Sequence, residues 1–430
     1  VSHSSSMWKY TVSRFGTTAT RVSIQTILLP LVVSQVFGNT EKAAYLSYIS
    51  VVSLAAGLPV FLGSAYLGDI LPLGIYRRRL FMILGTLITL SGIVASSWID
   101  DKSTLTIVGL LIFCGISMTE SSHSALIPDN FSSGSYLLAS TWLTKFSLLG
   151  SLAGPLLAGM LLDHGLLDTL RIGPSLQLVP VSCMLGLLLL SCTWLNSTAI
   201  QETSLPRSVT HGSRHGLKKR LMQLDRPMLR FHFYLVMRTF ALLPAMTMPS
   251  LLLFFRQDVT GGHPLRDTVL SILANTAGAV LGIIVLRKTA MRRWHEVRIM
   301  QLSLVLMVLS LSGLGLDILF QKGLWYPTIF LLGIGFSTFF TSSFSYGLHS
   351  IPDLRWRGLF SALISATTFI AFLLGMMLVS LIIPSFAADD RVVAWFALTG
   401  AFASCLLLAL ALLTFINHVF PLGEDGNMSA

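Results

Sequence analysis

The chain has 430 residues, of which 53% are hydrophobic and only 11% charged, with a formal net charge of +10. A soluble domain carries about 25% charged residues, so a chain this apolar has no watery surface to show and reads as an integral membrane protein. Its four cysteines, Cys114, Cys183, Cys192 and Cys405, sit singly in apolar runs, which argues against a disulfide framework or a zinc site.

A membrane-spanning helix needs about 20 apolar residues. Twelve such runs follow in chain order: 17–38, 43–67, 80–98, 104–126, 138–161, 175–195, 231–254, 267–286, 299–320, 325–349, 359–384 and 392–420. A barrel would show segments of about 10 alternating residues instead. The expected fold class is therefore an all-α membrane protein with twelve transmembrane helices. No cleavable signal peptide is visible, and because the chain opens on Val1 its natural start is expected upstream or at Met7.

Most of the 29 basic residues fall on one side of these spans. They include Lys9, Arg14 and Arg21, the run Arg77 to Arg79, the stretch from Arg207 to Arg230, the group from Arg287 to Arg298, and Arg355 with Arg357. The opposite loops carry Glu41, Asp100, Asp101, Asp163, Asp168, Asp389 and Asp390. Basic loops stay in the cytoplasm, so both termini are expected inside. The sequons at Asn130, Asn196 and Asn427 also fall inside and should carry no glycan. The basic charge thus belongs to membrane topology, and no nucleic-acid partner is expected.

Residues 196–230 form the longest polar stretch and read as a cytoplasmic linker, with a basic helix that could lie on anionic lipid. It separates an N-terminal six-helix bundle, 1–195, from a C-terminal one, 231–430. A repeat supports the division. Ile127-Pro128-Asp129 and Gly134 follow span 4; Ile351-Pro352-Asp353 and Gly358 follow span 10, at an offset of 224 residues. Thr119 and Ser121 fall on Ser343 and Ser345 at the same offset. Parallel six-span repeats are a transporter architecture.

Between spans 2 and 3 the chain reads Ala65-Tyr-Leu-Gly-Asp69, then Gly74, then Arg77-Arg78-Arg79. The pattern resembles the loop-2/3 signature of the major facilitator superfamily. Its longer spelling, with Asp69, Pro72, Tyr76 and the three arginines in place, is most similar to the folate-biopterin transporter family. Where that family tends to carry an acidic residue late in span 4, this chain has Ser124. Span 5 carries Gly150-x-x-x-Gly154-Pro155-x-x-Ala158-Gly159, similar to a motif of superfamily exporters. The resemblance implies a cytoplasmic latch at Asp69 and a cavity lined by spans 1, 4, 7 and 10. Helix N-termini carry about half a positive charge, so Asp69 is expected to meet the start of span 11 near Arg355 and Arg357. Asp129, whose repeat partner is Asp353, is expected to meet Arg77, Arg78 or Arg79.

Spans 4 and 10 are the most polar. Glu120 in span 4 should lie roughly 10 Å inside the cytoplasmic end. Lys145 and Arg238 lie at similar depth and are its expected partners, either as a structural ion pair or as a site where a substrate anion or a proton exchanges. Arg238 is the preferred substrate cation, because a guanidinium grips carboxylate in a fork. His123 shares a helix face with Glu120 and is either structural or a proton relay. Phe344 and Tyr346 either stack on a flat solute or simply pack. Gly150, Gly154 and Gly159 around Pro155 are hinge candidates, and Pro244 with Pro249 suggests an interrupted span 7, static kinks being the alternative.

No HExxH, GxSxG, GxxxxGK[ST] or HxE…PCxxC pattern occurs, so neither an enzyme nor a cofactor site is expected. The expected function is secondary transport of a small polar, anionic solute such as a folate or pterin, with a coupling proton. The alternatives are a drug or metabolite exporter and a non-transporting receptor or scaffold. A monomer in the lipid bilayer of the plasma membrane, rather than of an organelle, is the expected setting.

Overall fold

The computed structural model describes residues 4–71, 77–99, 101–131, 135–162, 178–199, 225–259, 264–293, 296–320, 323–352, 357–386 and 390–420. Their regular elements are all helical. A short helix, Ser4–Thr11, leads into α1, Ser13–Ser23, which continues through a π-helical turn, Ile24–Leu28, into α2, Leu29–Ile70. There follow α3 (Arg77–Ala95), α4 (Lys102–Asn130), α5 (Tyr136–Leu162), α6 (Leu178–Ala199), α7 (Arg226–Val259) and α8 (Pro264–Arg293). The last four are α9 (Glu296–Phe320), α10 (Trp325–His349), α11 (Arg357–Ile382) and α12 (Arg391–Val419). Among the described residues, 11 helices are long and apolar enough to cross a membrane, the first being Tyr45–Ile70. The predicted span at 17–38 is α1, the π turn and the start of α2.

The first two spans run in opposite directions. Arg14 reaches Glu120, while Gly57 packs on Ser117, less than one turn away on α4. A straight helix would hold residues 14 and 57 about 65 Å apart, so the chain doubles back between them.

Helices satisfy their own backbone groups, which a bilayer demands. Many hydroxyls among the described residues follow the same rule by bonding back along the helix. Thr17 donates to the Ser13 carbonyl, Ser23 to Ala19, Thr144 to Ser140 and Ser303 to Ile299. Asp101 caps α4 by accepting the Thr104 N–H at 2.7 Å, and the Thr104 hydrogen bonds hold its carboxyl below the usual carboxylate range.

Small residues bring the helices together. A Cβ on Gly85 of α3 would stand 2.6 Å from the Gly115 carbonyl oxygen of α4. One on Gly150 or Gly154 of α5 would strike the backbone carbonyls of Phe15 or Ala19 in α1. Between the first six spans and the last six, α11 packs on α2 and α4, and α5 packs on α8 and α10. Leu87, Met160, Leu187, Trp194, Leu309 and Leu381 point outward, as lipid-facing residues do.

One expectation is corrected. Span 7 is not interrupted: α7 runs unbroken through Pro244 and Pro249, as α5 does through Pro155. Proline removes an N–H and crowds the preceding turn, but its fixed φ suits a helix, and packed neighbours hold the run together.

The glycine contacts make a prediction. Gly154→Ala should destabilise the protein by about 1–3 kcal/mol through overpacking. Gly159→Ala, whose nearest neighbour is a Val269 methyl 4.0 Å away, should be neutral or stabilising because alanine favours the helix. Thermal unfolding of the two detergent-solubilised variants checks this, and equal midpoints would contradict it.

Candidate functional site

Among the described residues the centre of the bundle holds one buried acid, Glu120 of α4, and the expected partners are not the observed ones. Arg14 Nη1 lies 2.9 Å from Glu120 Oε1, a close charge contact outside hydrogen-bond angles. Arg21 Nη1 donates to Glu120 Oε2 at 3.4 Å. Both arginines come from α1, where 3.6 residues per turn set Arg14 and Arg21 two turns apart on one face. Arg14 Nε also donates to Ser147 Oγ of α5 at 3.1 Å. Lys145 stands over the Trp142 ring at 4.7 Å instead.

Arg238 does not pair with Glu120 either. It is fully buried between α7, α10 and α11. Its Nε donates to Ser343 Oγ at 3.2 Å, and its Nη1 donates to the Ile364 carbonyl and to Thr367 Oγ1. Its Nη2 is buried with no hydrogen-bond partner. The guanidinium sits 5.4 Å from the Phe340 ring centre and 6.0 Å from that of Phe344. No carboxylate touches it among the described residues.

Two hollows meet these groups. A chamber of about 20 Å³ is lined by Arg14, Glu120, His123, Arg238, Phe340 and Phe344, among others. A larger cavity of about 150 Å³ shares Arg14, Phe340 and Thr368 with it and adds Arg21, Gln25 and a mostly apolar wall that includes Phe336, Phe369 and Phe372. Gln25 and Thr26 reach that wall from the π turn. The turn has a local cause, because Pro30 lacks the N–H that would bond the Thr26 carbonyl in a regular helix. His123 is buried on the chamber, its Nε2 without a partner, and no hydrogen bond joins it to Glu120 among the described residues. Phe344 lines the chamber, whereas Tyr346 packs on Tyr234 with ring centres 5.5 Å apart and lines neither hollow.

A second charge cluster stands at the end of the bundle that carries the arginine run. Arg78, almost fully buried, reaches Asp69 Oδ1 through Nη2 at 2.5 Å and Asp129 Oδ2 through Nε at 3.3 Å. Asp69 Oδ2 in turn accepts the Leu359 N–H at 2.8 Å, in the first turn of α11. One carboxylate thus joins α2, α3 and α11. A Cβ on Gly358 would collide with both Asp69 and the Arg78 guanidinium, and one on Gly68 with Arg78, so these glycines permit the contact. Arg79 is half-buried one residue on. Asp353 and Arg355, and the side chains of Arg77 and Arg357, lie outside the described residues.

A family model described as Major Facilitator Superfamily matches residues 11–376. The chain belongs to the major facilitator superfamily. No curated protein matches it significantly. Among solved structures it is similar to a bacterial homologue of the iron transporter ferroportin in its outward-facing state, with a TM-score of 0.70 at 14% identity, covering 96% of this chain and 99% of that one. The same homologue with soaked iron gives 0.66 at 15% identity, covering 97% and 100%. FucP, a superfamily transporter in the outward conformation, gives 0.66 at 11% identity, covering 95% and 97%. At these identities the likeness is one of fold.

The 224-residue offset also relates the arginines at the centre. At the offset that aligns Ile127-Pro128-Asp129 with Ile351-Pro352-Asp353, Arg14 falls on Arg238. Tyr10 falls on Tyr234, Gly109 on Gly333 and Thr144 on Thr368. Arg14 and Arg238 are therefore the same position in the two repeats, and they face one chamber. Glu120 falls on Phe344, so the second repeat has the arginine without the acid.

The three-helix contact at Asp69 is testable. Asp69→Asn should cost about 3 kcal/mol, as breaking a buried pair does, and should speed amide exchange at the start of α11 and the end of α2. Gly358→Ala should do the same by steric separation. Asp101→Asn, at the opposite end of α4, should leave those segments unchanged. Exchange that is identical in all three proteins would show that the contact holds nothing.

Proposed function

We propose that this chain is a secondary transporter carrying a small anionic organic solute by alternating access. The observation behind this reading is an excess of buried positive charge. Arg14, Arg21 and Arg238 face adjoining hollows, and Glu120 is their one buried carboxylate neighbour among the described residues. Charges inside a membrane protein are expensive and mark substrate or ion pathways. A wall of guanidinium groups attracts anions and repels cations, so iron, named for the ferroportin homologue, does not carry over to this site.

We take the chain as two six-helix units, 1–195 and 231–430, joined by a linker at 196–230, a division supported by the repeat of Ile127-Pro128-Asp129 in Ile351-Pro352-Asp353. The basic end faces the cytoplasm under the positive-inside rule. There Asp69, Arg78 and Asp129 act as a latch that shuts the inner mouth while the cavity is offered to the other side. Glu120, released from Arg14 and Arg21 when a solute anion takes its place, is the candidate carrier of a coupling proton. A pterin or folate is a specific second reading, favoured by the Asp69-to-Arg79 spelling and by the Phe340 and Phe344 rings flanking Arg238. A superfamily exporter would share the same site but run in the opposite direction.

Reconstituted proteoliposomes provide the test. Uptake of organic anions, pterins and folate is measured against an imposed pH gradient. Arg14→Gln, Arg21→Gln and Glu120→Gln should each lower uptake at least tenfold, a loss of about 1.4 kcal/mol or more in transition-state terms. Undiminished uptake in all three variants would remove the site. Binding without flux for any solute would make the protein a receptor.

A further inference from the structure

Taking the transporter reading as its base, the structure assigns a narrower substrate class: we propose an amphipathic organic acid with a single carboxylate head and a one-ring or branched apolar body. Three observations converge on it. The first is the broken symmetry of the repeats. Arg14 meets a carboxylate, Glu120, on its neighbouring helix. Its counterpart Arg238 faces Phe344, which stands in Glu120's register, and has only neutral partners among the described residues. A guanidinium stays charged, and a buried charge lacking an acid is costly to keep. The carboxylate that the second repeat lacks is the one the solute brings.

The second observation is the donor left over. Arg238 Nη2 is buried and unpartnered, on a residue that lines the chamber. The chamber's volume of about 20 Å³ exceeds the 10–15 Å³ that one water-sized group needs. Nε and Nη1 of Arg238 are already committed, so a carboxylate entering the chamber accepts from the N–H groups of Nη2. The third is the adjoining cavity. Apolar cavities of about 150 Å³ take up a benzene-sized body, and this one has the same volume behind a largely apolar wall. Phe340 and Thr368 border both spaces, so a head in the chamber places its body in the cavity.

The test uses the purified full-length protein with benzoate as probe. Benzoate should raise the thermal midpoint and be taken up by proteoliposomes. Acetate, which keeps the head alone, and benzamide, which keeps the body without the charge, should each bind at least tenfold more weakly. Phe344→Glu supplies the missing acid within the chain. It should raise the midpoint of the ligand-free protein and abolish benzoate binding, and the stabilisation should vanish in combination with Arg238→Gln. Arg238→Gln alone should fold at least as stably as the parent and lose benzoate binding tenfold or more. Equal affinity for acetate and benzoate would overturn the proposal, as would benzoate binding that survives both Phe344→Glu and Arg238→Gln. Uptake of folate or other polar polyanions without any benzoate binding would overturn the amphipathic class and leave the transporter reading standing. Benzoate binding with no flux of any solute would support the site and overturn the transporter reading.

Discussion

A guanidinium inside a bilayer must find an acid, and this chain's interior is organised by how completely it does so. Arg78 has two carboxylates, Asp69 and Asp129. Arg14 and Arg21 share one, Glu120. Arg238 has none among the described residues, only a hydroxyl pair, a carbonyl and two aromatic faces. Coulomb attraction strengthens as the dielectric falls, so this gradation separates jobs. The fully matched cluster closes an end of the bundle. The under-matched clusters sit beside the hollows, where a mobile anion can complete them.

Packing supports that electrostatics. The helices touch backbone to backbone at Gly85, Gly115, Gly150 and Gly154, because nothing larger fits. With no water to drive association in lipid, such close approach is what holds membrane helices together. It also fixes α1 against α5, so that Arg14 can lean on Ser147 and still reach Glu120. Serines and threonines meanwhile return their protons to carbonyls one turn back, which leaves the arginine N–H groups as the strongest donors facing the cavities.

The fold was legible because hydropathy and helix length speak the same language in a bilayer. The Asp69-to-Arg79 spelling likewise marked the charged end contact, with Arg78 as the arginine that Asp129 meets. The centre was harder to read. The helix α1 starts before the apolar stretch at 17–38, so Arg14 lies outside that stretch, while Arg21 lies inside it and the helix face, not the depth, brings it to Glu120. Pairing Glu120 with Lys145 or Arg238 relied on equal depth alone, which ignores azimuth. Lys145 has the depth but faces Trp142. The two prolines of α7 marked a break that packed neighbours do not allow to form.

The bare Cα of Gly358 carries one more consequence. Asp69 and Arg78 occupy the space where any side chain there would stand, so α11 either seats fully against α2 and α3 or lifts clear of them. An intermediate pose would strip the Leu359 amide of its acceptor and leave Arg78 facing a half-solvated acid, with no compensating gain. In the transport cycle proposed above, such a joint would act as a snap fastener rather than a hinge: its opening would be one discrete event, and the depth of that single well would set how often the latch releases.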